Sequence, residues 1–141
     1  MLPTGKEVHS LGPEMTERDV RFMRPGERTP ADHVTPGMHR EQAFAGDGVW
    51  VGTVRTEPGV VTGWHHHGAY DTFIYVTAGW LRLEWGPGGA FAGEGGAGTF
   101  IFVPGGAVHR EASASKDGVE ALLFRVGEGE VVINTDGPAP A

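Results

Sequence analysis

GVVTGWHHHGAYDTFIYVTAG, residues 59–79, and GTFIFVPGGAVHREAS, residues 98–113, are the stretches whose reading decides the fold. Three consecutive histidines stand at 65–67 in the first, and His109 follows a Pro-Gly-Gly turn at 104–106 in the second. Alternation along an extended chain puts His65 and His67 on one face and His66 on the other. Imidazole is the commonest biological ligand for divalent first-row metals. Two histidines from one strand and a third from a distant strand are how a β structure builds a metal site inside itself.

Working outward, short apolar runs alternate with Gly/Pro turns along most of the chain. The strand pattern begins near Glu41. It continues through Val49–Arg55, Val60–His67, Thr72–Thr77 and Trp80–Trp85. Residues 86–98 read as a hairpin loop with room for one short strand. Thr99–Val103, Val108–Ser115, Val119–Val126 and Val131–Asn134 complete the set. Short strands with turns at this spacing predict an all-β, closed antiparallel barrel or jelly roll.

At 141 residues the chain is long enough for one domain. Residues 1–40, with prolines at 3, 13, 25, 30 and 36, read as an irregular N-terminal arm rather than an independent domain. A short helix around Thr16–Met23, capped by Thr16, is an expectation within it. The barrel is expected over 41–135 and a tail over 136–141.

The net charge of −7 argues against nucleic acid and against an anionic membrane surface, since neither basic stripe nor basic patch is present. No apolar run approaches the ~18 residues that span a bilayer, and no signal-like opening is seen, so a cytoplasmic location is the expectation. With Cys 0, disulfides, thiolate catalysis and Cys-ligated zinc are all excluded. Gly93-Glu-Gly95-Gly-Ala-Gly98 matches the dinucleotide-binding spacing, but it precedes the β run Thr99–Val103. That motif works only at a helix N-terminus, so it is set aside.

The spacing of the two quoted stretches resembles the cupin superfamily. Its motifs run G-x5-H-x-H-x3,4-E-x6-G and G-x5-P-x-G-x2-H-x3-N. Gly59, His65, His67 and Gly79 fit the first, and Gly98, Pro104, Gly106 and His109 fit the second. Eighteen residues lie between Gly79 and Gly98, a usual interval for small cupins. The resemblance implies a cupin-type β-barrel (double-stranded β-helix) with a metal held inside it by His65, His67 and His109.

The family's glutamate position falls on Thr72 and its asparagine position on Ser113. A shorter spacing would bring in Asp71, but it leaves seven residues before Gly79 and turns Thr72, Ile74 and Val76 outward. The register with Thr72 inward is preferred. Three neutral imidazoles would leave a divalent ion its full charge and several open positions. Glu111 shares a strand face with His109 and is the candidate replacement acid or base. Thr72, Ser113 and Arg55 are candidate pocket residues, Arg55 as a carboxylate clamp if it faces inward. Among Val49, Val51, Thr53, Leu81, Leu83 and Phe124, alternation leaves the inward phase open. His66 is read as facing away from the site, and His33 and His39 as solvent-exposed arm residues.

The expected cofactor is one divalent transition metal: Fe, Zn, Mn or Ni. A metal-dependent enzyme on a small organic substrate is the leading reading. Resemblance to three-histidine cupin dioxygenases tilts it slightly towards oxygenation. Non-redox lyase, isomerase or cyclase chemistry, a non-catalytic binding barrel and a storage protein are the alternatives. Phe73 and Tyr75, on the outer face of their strand, point to a homodimer.

Overall fold

The computed structural model describes residues 18–31 and 34–140. Its strands are β1 (Thr29–Pro30), β2 (Met38–Gly46), β3 (Val49–Thr56), β4 (His65–His66), β5 (Asp71–Ala78) and β6 (Leu81–Trp85). After a single 3₁₀ turn at Pro87–Gly89 come β7 (Phe91–Gly95), β8 (Phe100–Val103), β9 (His109–Ser113), β10 (Val119–Val126) and β11 (Ile133–Asn134). One sheet has the order β1-β2-β3-β10-β5-β8 and the other β11-β4-β9-β6-β7. All pairings are antiparallel. Among the described residues no helix is long and apolar enough to cross a membrane.

The strands form because their side chains alternate between a buried and an exposed face. In β10, Val119, Ala121, Leu123 and Arg125 are buried while Glu120, Phe124 and Val126 are exposed. β5 buries Thr72, Ile74 and Val76 and exposes Asp71 and Phe73, which is the register expected from the sequence. Ile74, Val76, Val54 and Leu123 from the first sheet meet Leu81 and Leu83 from the second in one core. Each such aliphatic contributes ~1.5–3 kcal/mol by leaving water.

The motif glycines are turn residues. Gly59, Gly79, Gly98 and Gly106 have φ of 76, 81, 91 and 76°, the left-handed region that side chains disfavour. A Cβ on Gly79 would also collide with the carbonyl of Gly118.

Three sequence expectations need revision. Val60–His67 is not one strand, because only His65–His66 remains regular and Val61 makes an isolated bridge to Ala112. His65 pairs with His109, so four steps on one side, 61 to 65, face three on the other, 109 to 112. That extra residue defines a bulge, centred on Gly63-Trp64. The first long strand starts at Met38 rather than near Glu41, and Thr29 and Pro30 pair with Gln42 and Glu41. Residues 18–23 are not helical, and Thr16 and His33 lie outside the described residues.

Candidate metal centre

Two neighbouring strands and a loop deliver the histidines. β4 and β9 set His65 opposite His109, and His67 follows β4 by one residue on the same side as His65. The three ring centroids lie 4.4–5.1 Å apart. All three residues are buried, His109 to 1% exposure. Glu111, two residues along β9 from His109, turns its carboxylate to the same side, with Oε1 3.4 Å from His109 Nε2. One ligand atom from each of His65, His67, His109 and Glu111 lies within 4.8 Å of all the others.

Backbone contacts fix the tautomers. Nδ1 of His65 donates to the Gly63 carbonyl at 2.8 Å, that of His67 to Val131 at 2.6 Å and that of His109 to Ala107 at 2.8 Å. A carbonyl oxygen can only accept, so each Nδ1 carries the proton. In the neutral rings each Nε2 then presents its lone pair, as metal-ligating histidines seated by an outer partner do. The bulge has a use here, since the Gly63 carbonyl it frees is the one that seats His65.

The charge states of the four groups themselves suit a cation at the centre. Burial holds the His65 imidazole below its ordinary value, and burial takes His67 down to about 3. Both rings are therefore neutral at physiological pH. Burial also pulls His109 downward, but its contact with the Glu111 carboxylate outweighs that and leaves it raised. Burial alone would raise Glu111, yet the contact with His109 and the charges of His109, His65 and Arg40 hold it well below the usual carboxylate range. A lone pair on His109 Nε2 facing a carboxylate oxygen is repulsive unless a proton or a metal ion stands between them. Three imidazole nitrogens and one carboxylate oxygen suit a divalent first-row ion.

Thr72 occupies the family's glutamate position and is buried on the cavity wall, with its Oγ1 lacking a hydrogen-bond partner among the described residues. The carboxylate missing there is matched by Glu111 on the other motif's strand. Ser113 shares the inner side of β9, opposite Leu81, but its hydroxyl donates to the Ser115 carbonyl and it does not line the cavity. Arg55 is a correction. It is exposed, because β3 turns Gly52, Val54 and Thr56 inward and so sends Thr53 and Arg55 out. Of the residues whose phase was open, Leu81 and Leu83 face the core, whereas Phe124 is 38% exposed.

Asp71 is exposed and accepts the Gly105 N–H at 2.9 Å, bracing the Pro104–Gly106 turn. Nδ1 of His66 accepts the Gly68 N–H. His39 is exposed beside Glu57.

Sequence reasoning missed two residues, Arg40 and Arg125, which line the same cavity as His67, Thr72 and Glu111. The signal was present for Arg125, which continues the buried phase Val119, Ala121, Leu123.

No protein-family profile matches the chain, and no curated protein matches it. Solved structures do. KdgF from Halomonas sp. superposes with a TM-score of 0.63 at 22% identity, over 78% of this chain and 96% of its own. A double-stranded β-helix protein from Klebsiella pneumoniae gives 0.65 at 14%, over 83% and 98%. A point variant of Bacillus subtilis oxalate decarboxylase gives 0.64 at 17%, over 77% of this chain but 30% of that longer one. The architecture is the double-stranded β-helix. The chain has the cupin fold, with a histidine and glutamate cluster inside its barrel.

Proposed function

We propose that this cupin is a mononuclear metal-dependent enzyme acting on a small organic molecule inside the barrel. The observation that carries the reading is the seating of three Nδ1–H groups on backbone carbonyls, which aims three Nε2 atoms at one point beside Glu111. When bound there, a divalent ion would polarise a substrate oxygen or lower the pKa of its water. Non-redox chemistry is the first reading. The tilt towards oxygenation rested on a triad without a carboxylate, and Glu111 supplies one. As an ionised group beside the centre, it can serve as fourth ligand or take a proton from substrate. Oxalate decarboxylase, a neighbour in fold, has Mn(II) centres, which supports a divalent metal by analogy alone and leaves the reaction class to the site. Oxygenation is the second reading, kept by the open positions that three or four protein ligands leave on a six-coordinate ion.

Elemental analysis of untagged protein purified without chelator tests this, beside His67→Ala. One equivalent of manganese, iron, zinc or nickel, absent from the variant, supports the centre, and redox-inert zinc would exclude the oxygenation reading. Protein that arrives metal-free and takes up none of these ions overturns both.

A second copy of the chain is the expected partner. Phe73, Phe100, Phe102 and Phe124 are 42, 77, 55 and 38% exposed on the outer face of β10, β5 and β8. They form a contiguous ladder through the pairs Phe73–Phe102 and Tyr75–Phe100. Sedimentation should find a dimer that Phe102→Glu converts to monomer, and a monomeric parent protein overturns this part.

A further inference from the structure

The cavity beside the centre carries more positive charge than its own residues balance. Arg125 is 2% exposed, and its Nε and Nη1 have no hydrogen-bond partner among the described residues. Its guanidinium lies over the Trp50 ring, Cζ 5.1 Å from the centroid. Stacking of this kind orients the fork and leaves its N–H edges free in the plane. Burial and then the Arg40 charge push Arg125 down to about 10, so it is still a cation at neutral pH.

Arg40 is 8% exposed. It donates to Thr35 Oγ1 at 3.1 Å and leaves its own Nε unpartnered. Two buried cations face one buried anion, Glu111, and a divalent ion would widen the excess. An unpaired buried charge is among the costliest features a fold can retain. An apolar residue would continue the Val119, Ala121, Leu123 row on β10 at no such cost. A guanidinium kept there points to a ligand of opposite sign.

We infer that Arg125 is the carboxylate clamp of the interior, and that the substrate is a small organic anion held between its guanidinium and the histidine centre. This rests on the metal-centre reading above for the site of reaction, but not for the anion site itself. A planar two-donor fork matches a carboxylate in bidentate geometry. The unpartnered Thr72 hydroxyl on the same wall offers a further donor.

Size narrows the ligand. The free space among these residues is about 10 Å³, room for about one water molecule. The anion therefore has few heavy atoms, and it gains room by displacing Arg40. Arg40, Met38, Val54 and Ala121 border both this space and an outer groove of about 650 Å³ between the Pro30–Ala31 segment and β2, β3 and β10. Arg40 is the long polar side chain among them, the one with water on its far side to move into.

The test uses the full chain, its metal content measured first, with oxalate as probe, oxamide as its neutral counterpart and chloride as the inorganic control. Calorimetry and thermal melts are compared for wild type, Arg125→Met and Arg125→Lys. Oxalate should bind and raise the melting temperature of wild type, while oxamide and chloride should not. Arg125→Met should keep its metal, bind oxalate at least ~10-fold more weakly, and melt about 3 °C or more higher without ligand. A purely structural arginine would not give that rise.

If Arg125→Met does not fold, Arg125→Lys decides, since it keeps the charge and loses the fork. Oxalate affinity equal to wild type in the variant that folds overturns the inference. So does a wild type that responds to chloride as it does to oxalate. Should wild type take up no metal, the same comparison on metal-free protein still decides for or against the clamp, while the metal reading fails separately.

Discussion

Each face of the six-stranded sheet departs in one patch from the usual arrangement of a soluble β-sheet. Its inner face buries Arg40, Arg125 and Thr72, and its outer face shows Phe73, Phe100, Phe102 and Phe124 to solvent. On β5 the change takes one residue, from buried Thr72 to exposed Phe73. Strand alternation makes such a contrast possible, and the core makes it affordable, because Ile74, Val76, Leu81, Leu83 and Leu123 supply the apolar burial that holds the sheets together. The inner charges and outer aromatics both leave interactions unused within one chain. The former suit a ligand and the latter a second copy.

Changes inside should outweigh changes outside. The largest effect is expected for His109→Ala, which removes one donor and leaves Glu111 unpaired. Bound metal should fall from one equivalent to none, read by elemental analysis. Next, Ile74→Ala should cost about 2–5 kcal/mol in a urea melt without altering metal stoichiometry. Restoring metal to stripped protein at a hundredfold above its Kd should stabilise it by about 2.7 kcal/mol, read as a shift in the urea midpoint.

The raised His109 imidazole sets the sign of the pH dependence. Below its folded pKa a proton competes for Nε2, so metal affinity should fall by up to about tenfold per pH unit as the solution is acidified. Calorimetry in buffers of different ionisation enthalpy should detect proton release on uptake that grows as the pH is lowered. An affinity flat across that range would place the proton elsewhere.

Thr72→Val should be neutral or stabilising by up to ~1 kcal/mol in metal-free protein, since the hydroxyl it removes is buried without a partner. The smallest effect belongs to Arg55→Ala on the outer surface, within about ±0.5 kcal/mol and without change in metal binding. A large effect there would dissolve the contrast between the faces.

Legibility in the sequence followed the strength of alternation. Val119–Val126 was readable with its bounds as they stand, and Thr72, Ile74 and Val76 as the inner row of β5, because apolar and exposed positions alternate there without ambiguity. The grouping of His65, His67 and His109 followed from the motif spacing and the resemblance it carries. β3 resisted, since Val49, Val51, Trp50 and Val54 put apolar residues on both phases, and Arg55 was placed in the pocket on a coin's toss of register. The break in Val60–His67 was invisible because a bulge is set by pairing with β9, a non-local cause. Arg125 was passed over because a charge on a strand is read by default as facing water. Its phase contradicted that default.

The contact between His67 Nδ1 and the Val131 carbonyl joins residues 64 positions apart. A growing chain leaves the ribosome in order, so His65 and His67 appear long before the carbonyl that seats the second of them. His109 also precedes it. Until Val131 and the short β11 have docked beside β4, the three rings share no fixed orientation. Any uptake of an ion at this cluster would thereby come after closure of the barrel, and a stalled, incomplete chain would make a poor scavenger of metal.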